Sequence, residues 1–220
     1  MYLSRLTMAD GAVASEAFWR TFGSEYALHQ SVWRMFGDRP DRRRDFLYRL
    51  DSRQGKPLLW TLSQRRPQAP EGLWRSASRR LEPDLAPADR LDFALRVNPV
   101  VCRAGKRHDV VMDRKRRTGW SGSSAGGRQP QALVVQDALS DWLAARAGGL
   151  GVRLVRVLAD GYRVWRFRKP SGRRVSLGVA DLSGTLEIVD AERFLQAWKR
   201  GVGPAKGFGC GLMLIRRAAP

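Results

Sequence analysis

The chain has 220 residues, 43% of them hydrophobic and 9% aromatic, which is enough apolar side chain to bury a core and excludes a disordered chain. Its 40 Lys+Arg against 21 Asp+Glu leave a formal charge of +19, a balance that attracts polyanions and nucleic acid above all. No apolar run approaches the roughly 18 residues a bilayer span needs, and MYLSRLTMADGAV lacks the apolar core of a signal peptide, so the expected setting is the cytoplasm with no membrane partner.

Six of the basic residues are lysines (Lys56, Lys106, Lys115, Lys169, Lys199, Lys206) and the rest are arginines. The planar arginine fork suits phosphate and base edges better than a point charge does. A GC-rich genome would explain that ratio but not the net excess of positive charge. Cys102 and Cys210, with two histidines in the chain, offer no zinc-ligand spacing. Both cysteines read as reduced, small apolar residues, and no metal or other cofactor is expected.

In chain order, residues 1–8 are rich in β-formers, and 24–36 (SEYALHQSVWRMF) carry Leu28, Val32 and Met35 at helical spacing behind Ser24 as N-cap. DFLYRLD and PLLWTLSQ, joined by SRQGK, predict a β-hairpin. Residues 69–81 fit a short helix, a strand or both. EPDLAPAD (82–89) reads as a linker. Beyond it come a strand at 91–97, a helix at 131–147, strands near 152–168 and 173–189, a helix at 191–200 and a strand at 208–215. That order, β-α-β-β-α-β, predicts an α+β fold of two tandem ferredoxin-like (RRM-like) domains, 1–86 and 90–220. A basic Gly/Ser-rich loop around 119–127 interrupts the second and fits no motif.

Three constellations carry candidate chemistry. Tyr26 and His29 stand three residues apart, so on a helix both side chains can reach one ligand. RNA strand cleavage by the 2′-hydroxyl needs one group to take a proton and another to give one, and histidine titrates in the useful range. A histidine beside an apolar stripe is also often merely structural. The second constellation is GYRVWRFRKPSGRRVSLG (161–178), where Arg163, Arg166, Arg168, Lys169, Arg173 and Arg174 flank a Pro-Ser-Gly turn with no acid among them. Such a ribbon can hold nucleic-acid phosphates, or it can be an edge hairpin kept soluble by charge. The third is GVGPAKGFGCG (201–211), whose Gly203, Gly207, Gly209 and Gly211, with Lys206, can bring backbone N–H groups close to phosphate. It matches neither the P-loop nor the dinucleotide fingerprint, and Lys206-Gly207-Phe208-Gly209 matches only the opening of the RRM's RNP1 signature.

Taken together, MYLSRL, YALHQSVWRMFGDRPDRRRDFLYRL, FALRVNPV and GTLEIVDAERFLQAWKRGVGPAKGFGCGLMLI resemble the CasE family of CRISPR RNA-processing proteins over nearly the whole chain. The resemblance implies tandem ferredoxin-like domains and a metal-independent endoribonuclease that cuts the repeat stem-loop of precursor CRISPR RNA, leaving a 2′,3′-cyclic phosphate. It implies two partners: the repeat RNA and the other subunits of the type I-E effector complex, Cascade. The family's active-site histidine and the tyrosine before it fall on His29 and Tyr26, its glycine-rich loop on Gly201–Gly211, and its RNA-gripping hairpin on 162–175. The alternative from another class is a non-catalytic RRM-like RNA-binding subunit of a ribonucleoprotein. A divalent-metal nuclease is disfavoured by the lack of an acidic cluster with ligand spacing.

Overall fold

The structure, a computed structural model, describes residues 1–37, 43–120, 130–168 and 171–219. Two compact units divide the chain: Met1–Asp84 with Trp165–Ser176 and Ala205–Leu212 form the first, and the remainder forms the second.

In the first unit β1 (Tyr2–Met8) leads through a short 3-10 turn to α1 (Glu16–Phe22) and α2 (Glu25–Arg34), followed by β2 (Phe46–Arg53), β3 (Lys56–Ser63) and β4 (Trp74–Arg80). The four strands pair antiparallel in the order β2-β3-β1-β4, which sets the last strand beside the first and the first beside the third, as in ferredoxin-like folds. Ser24 caps α2, its Oγ accepting the Ala27 N–H at 3.0 Å. The buried face of that helix (Leu28, Val32, then Met35 and Phe36) packs on Leu6, Phe46, Tyr48, Leu59 and Trp74. Gln54 and Gly55 close the β2–β3 hairpin with φ of 52° and 74°, the left-handed pair that matches strand twist.

Within residues 69–81 the structure has a loop and turn followed by the strand β4 (Trp74–Arg80), and among the described residues no helix joins β3 to β4. Pro67 and Pro70 explain this, since each removes a backbone donor and pushes its predecessor out of helical φ/ψ. Buried Leu73 and a bond from the Gln68 N–H to the Met35 carbonyl at 2.8 Å hold the connection down instead.

The second unit contains β5 (Arg90–Val97), the small hairpin β6 (Val100–Arg103) and β7 (Lys106–Asp109), then α3 (Val110–Arg117) and α4 (Gln131–Leu150). Within β8 (Val152–Arg168) and β9 (Arg174–Ile188) the chain runs from this unit into the first and returns, and α5 (Ala191–Arg200) and β10 (Met213–Arg217) complete the order. The sheet order is β10-β5-β9-β8, again placing the last strand beside the first and the first beside the third. Leu91, Phe93, Leu95 and Val97 alternate into a core with Leu139, Trp142, Leu182, Leu186, Phe194 and Trp198, all buried. The Trp198 indole N–H is satisfied by the Met213 carbonyl at 2.7 Å.

The final strand begins at Met213, not at 208. Gly209 and Gly211 adopt φ of 78° and 91°, which a β-ladder does not accommodate, so the apolar run FGCGL is a turn. Of the cysteines, Cys210 is buried as expected and Cys102 is exposed. The Gly/Ser-rich loop lies, from residue 121 on, outside the described residues. No helix among the described residues is long and apolar enough to cross a membrane.

Candidate active site around His29

The first turn of α2 puts Leu28 into the core and leaves Tyr26 and His29 half-buried beside it. His29 Nδ1 bonds to the Gly207 carbonyl. A carbonyl can only accept, so Nδ1 carries the proton and, in the neutral ring, Nε2 carries the lone pair. The imidazole ring stacks on Phe208, with centroids 5.0 Å apart and 26° between planes. Trp33 meets it edge-on at 5.9 Å, and the Tyr26 ring lies 5.8 Å away. The sequence-predicted pair is therefore brought together, and a backbone carbonyl 178 positions further along the chain fixes the histidine.

The Tyr48 hydroxyl donates to the same Gly207 oxygen at 2.8 Å. Burial pushes the Tyr48 phenol far above its usual range, with Cys210 and Glu25 adding to the effect and Arg44 opposing it, so it remains a donor at any physiological pH. Arg44 approaches from the start of β2, with Nη1 3.9 Å from where a Cβ on Gly207 would stand. Burial lowers the Arg44 pKa, yet a guanidinium keeps its charge in proteins.

The glycine-rich loop owes three of its glycines, Gly203, Gly207 and Gly209, to close packing. A Cβ on Gly207 would stand 3.3 Å from His29 Cε1, and one on Gly209, at φ +78°, would stand 3.1 Å from the Tyr48 ring. Lys206 opens the 3-10 turn Lys206–Phe208 and is half-buried, and Gly211 is buried where the loop ends. Gly203 belongs to the second unit, where a Cβ would stand 3.3 Å from the Trp142 ring.

Of the arginine-rich hairpin, Trp165–Ser176 belong to the first unit. Phe167 packs on Phe208 at 5.0 Å, and Phe208 in turn stacks on His29. Strand alternation sends Arg166 and Arg168 to the face opposite Phe167, and both are exposed, as are Arg173 and Arg174. Arg163 differs from them. It lies in the second unit and pairs with Asp181 at 3.5 Å, a carboxylate already held by Arg96 at 2.7 and 3.0 Å. Charge counting within the hairpin missed Asp181 because it stands further along β9. Lys169 lies outside the described residues. Among the described residues no three His, Cys, Asp or Glu side chains cluster in a way that could hold a metal ion.

Sequence reasoning also missed Tyr48, Arg44, Trp33 and Phe208. A usable signal existed for Tyr48, because a tyrosine within an alternating core strand must find a partner for its hydroxyl.

The chain is similar along its length to known CRISPR-associated proteins. The chain is 28% identical over 218 residues to the CRISPR system Cascade subunit CasE of Escherichia coli (strain K12), covering 98% of each. It is 26% identical over 232 residues to the CRISPR-associated endoribonuclease Cse3 of Thermus thermophilus, covering 98% of this chain and 99% of that one. A solved structure of the CRISPR endoribonuclease Cse3 bound to a 19-nucleotide RNA superposes with a TM-score of 0.76 at 25% identity, covering 98% of this chain and 100% of that chain. The family model described as CRISPR associated protein matches residues 1–217. A match that starts ahead of β1 and ends with the last residue of β10 takes in both sheets and the His29 site, and the chain belongs to the CRISPR associated protein family.

Proposed function

We propose that this chain is the endoribonuclease that cuts the repeat stem-loop of precursor CRISPR RNA and stays with the mature guide in a Cascade-type complex. The observation that carries the reading is the His29 imidazole pinned through Nδ1 to the Gly207 carbonyl beside Tyr26, in a chain similar along its length to a named CRISPR endoribonuclease. The ribose 2′-oxygen attacks the adjacent phosphorus, its proton passes to a base, the bond from phosphorus to the 5′-oxygen breaks, and an acid protonates that oxygen. The products are a 2′,3′-cyclic phosphate and a 5′-hydroxyl. His29 Nε2 carries one of the two proton transfers, and Tyr26 positions the phosphate or shares the other. Arg44 and Lys206 offset the charge that develops on the phosphorane. Because the nucleophile is the RNA's own hydroxyl, neither a metal-bound water nor another cofactor is required.

Arg166, Arg168, Lys169, Arg173 and Arg174 grip the stem, and Arg163 contributes through its network with Asp181. The backbone of Gly203, Gly207, Gly209 and Gly211 lines the phosphate path. The two ferredoxin-like domains correspond to 1–86 and 90–220, and the protein works in the cytoplasm. The test is to incubate the protein with a labelled repeat hairpin in excess EDTA. One defined cut supports the reading, binding without cutting shows an RNA-binding module instead, and cutting restored only by magnesium shows a metal-dependent nuclease.

A further inference from the structure

We infer that Tyr48 is a positioning residue for His29, acting through the Gly207 carbonyl that both side chains share. The inference rests on the proton-transfer role proposed for His29 and names the group that sets which of its nitrogens carries the proton in the neutral ring. A carbonyl oxygen has two lone pairs, and here both are used: Tyr48 donates at 2.8 Å and His29 Nδ1 takes the other. Two donors from two different elements, β2 and α2, fix the plane of the Gly207 peptide where one donor would leave it free to swing. The tautomer of a neutral histidine follows the hydrogen bond its ring makes, so a fixed carbonyl keeps the proton on Nδ1 and the lone pair on Nε2.

Tyr48 is itself held tightly. It is 1% exposed, and the close approach of Gly209, where a Cβ would stand 3.1 Å from its ring, wedges the phenol under the loop it supports. The register pairs Tyr48 with Thr61 on β3, whose Oγ1 is buried with no hydrogen-bond partner among the described residues. The phenolic hydroxyl thus bonds to the loop, not back to its own sheet. That is the arrangement expected of a strut rather than of a core tyrosine satisfied locally.

The direct test reads the tautomer and not only the rate. The chain has two histidines, His29 and His108, so ¹⁵N-histidine NMR of the full chain without RNA shows two ring systems, and His29→Ala assigns them. The expected result is the Nδ1–H form in the wild type and a mixture of both tautomers in Tyr48→Phe. Single-turnover cleavage of a repeat hairpin by that variant should fall about tenfold, the scale of one lost neutral hydrogen bond, with RNA affinity unchanged. Gly209→Ala, which displaces the phenol without removing a polar group, should give the same mixture and covers the case in which Tyr48→Phe does not fold. An Nε2–H form in the wild type overturns the inference, as does an unaltered Nδ1–H form in a folded variant, whatever its rate. A mixed tautomer with wild-type cleavage would instead leave the strut standing and remove His29 from the chemistry.

Discussion

The proton-transfer role proposed for His29 draws on the bond that ties its Nδ1 to the Gly207 carbonyl. Replacing it by alanine should slow single-turnover cleavage by about two to four orders of magnitude, the usual scale for loss of a general acid or base, while hairpin affinity changes little. Near-wild-type cleavage by His29→Ala would end the assignment. Tyr26→Phe should cost less than His29→Ala if the tyrosine positions the phosphate, and an equal loss would make it a direct proton carrier. The Tyr26/His29 pair was legible in the sequence because it depends only on helical spacing. Its partner was not, because Tyr48 and Gly207 stand 159 positions apart and no local pattern encodes a bond across that separation. Gly207 and Gly209 drew notice as phosphate-binding glycines, whereas their most immediate constraint is the His29 and Tyr48 rings where a Cβ would go.

At the scale of elements, the β8–β9 hairpin both carries charge and touches the site. Replacing Arg166, Arg168, Arg173 and Arg174 together by alanine should weaken RNA binding more at low salt than at high. Each lost phosphate contact should reduce the log–log salt slope by roughly 0.7 to 0.9. Parallel salt plots of equal affinity would show the hairpin to be a solvated edge. Arg163 is left out of that variant because its partner is Asp181. Phe167→Ala should act differently. It removes a ring contact worth about 0.5–1.5 kcal/mol from the stack that runs through Phe208 to His29, so single-turnover cleavage should slow by up to about tenfold while the salt slope stays at the wild-type value.

The elements with strong periodicity or a clear cap, α2, β2, β3 and α5, stand where the sequence puts them. The helix α3 was illegible because VVMDRKRR has almost no apolar face. Its start depends on the Asp109 carboxylate, which accepts the Val111 and Met112 N–H groups at 2.9 and 3.0 Å. The last strand was misplaced because FGCGL reads as apolar, while the positive φ of Gly209 and Gly211 cannot be seen in composition.

For the whole molecule, the recurring order of elements was legible because strands and helices differ in apolar period, and the structure adds that each half sets its first strand between the third and the last. The lack, among the described residues, of a helix between β3 and β4 was not, although Pro67 and Pro70 gave the reason in advance. The net charge of +19 identified the partner class and nothing finer, since phosphate attraction is shared by binders and nucleases alike. Cleavage separates those two classes, and the source of the nucleophile separates a nuclease that uses the RNA's own 2′-hydroxyl from one that uses a metal-bound water. The most direct measurement compares two repeat hairpins in excess EDTA, one all-ribose and one with a single 2′-deoxy sugar at the cut site. The expected result is that the wild-type protein binds both with equal affinity, cuts the first once to leave a 2′,3′-cyclic phosphate, and leaves the second intact. Cleavage of the 2′-deoxy hairpin would contradict the account, because the attacking oxygen would then come from outside the RNA.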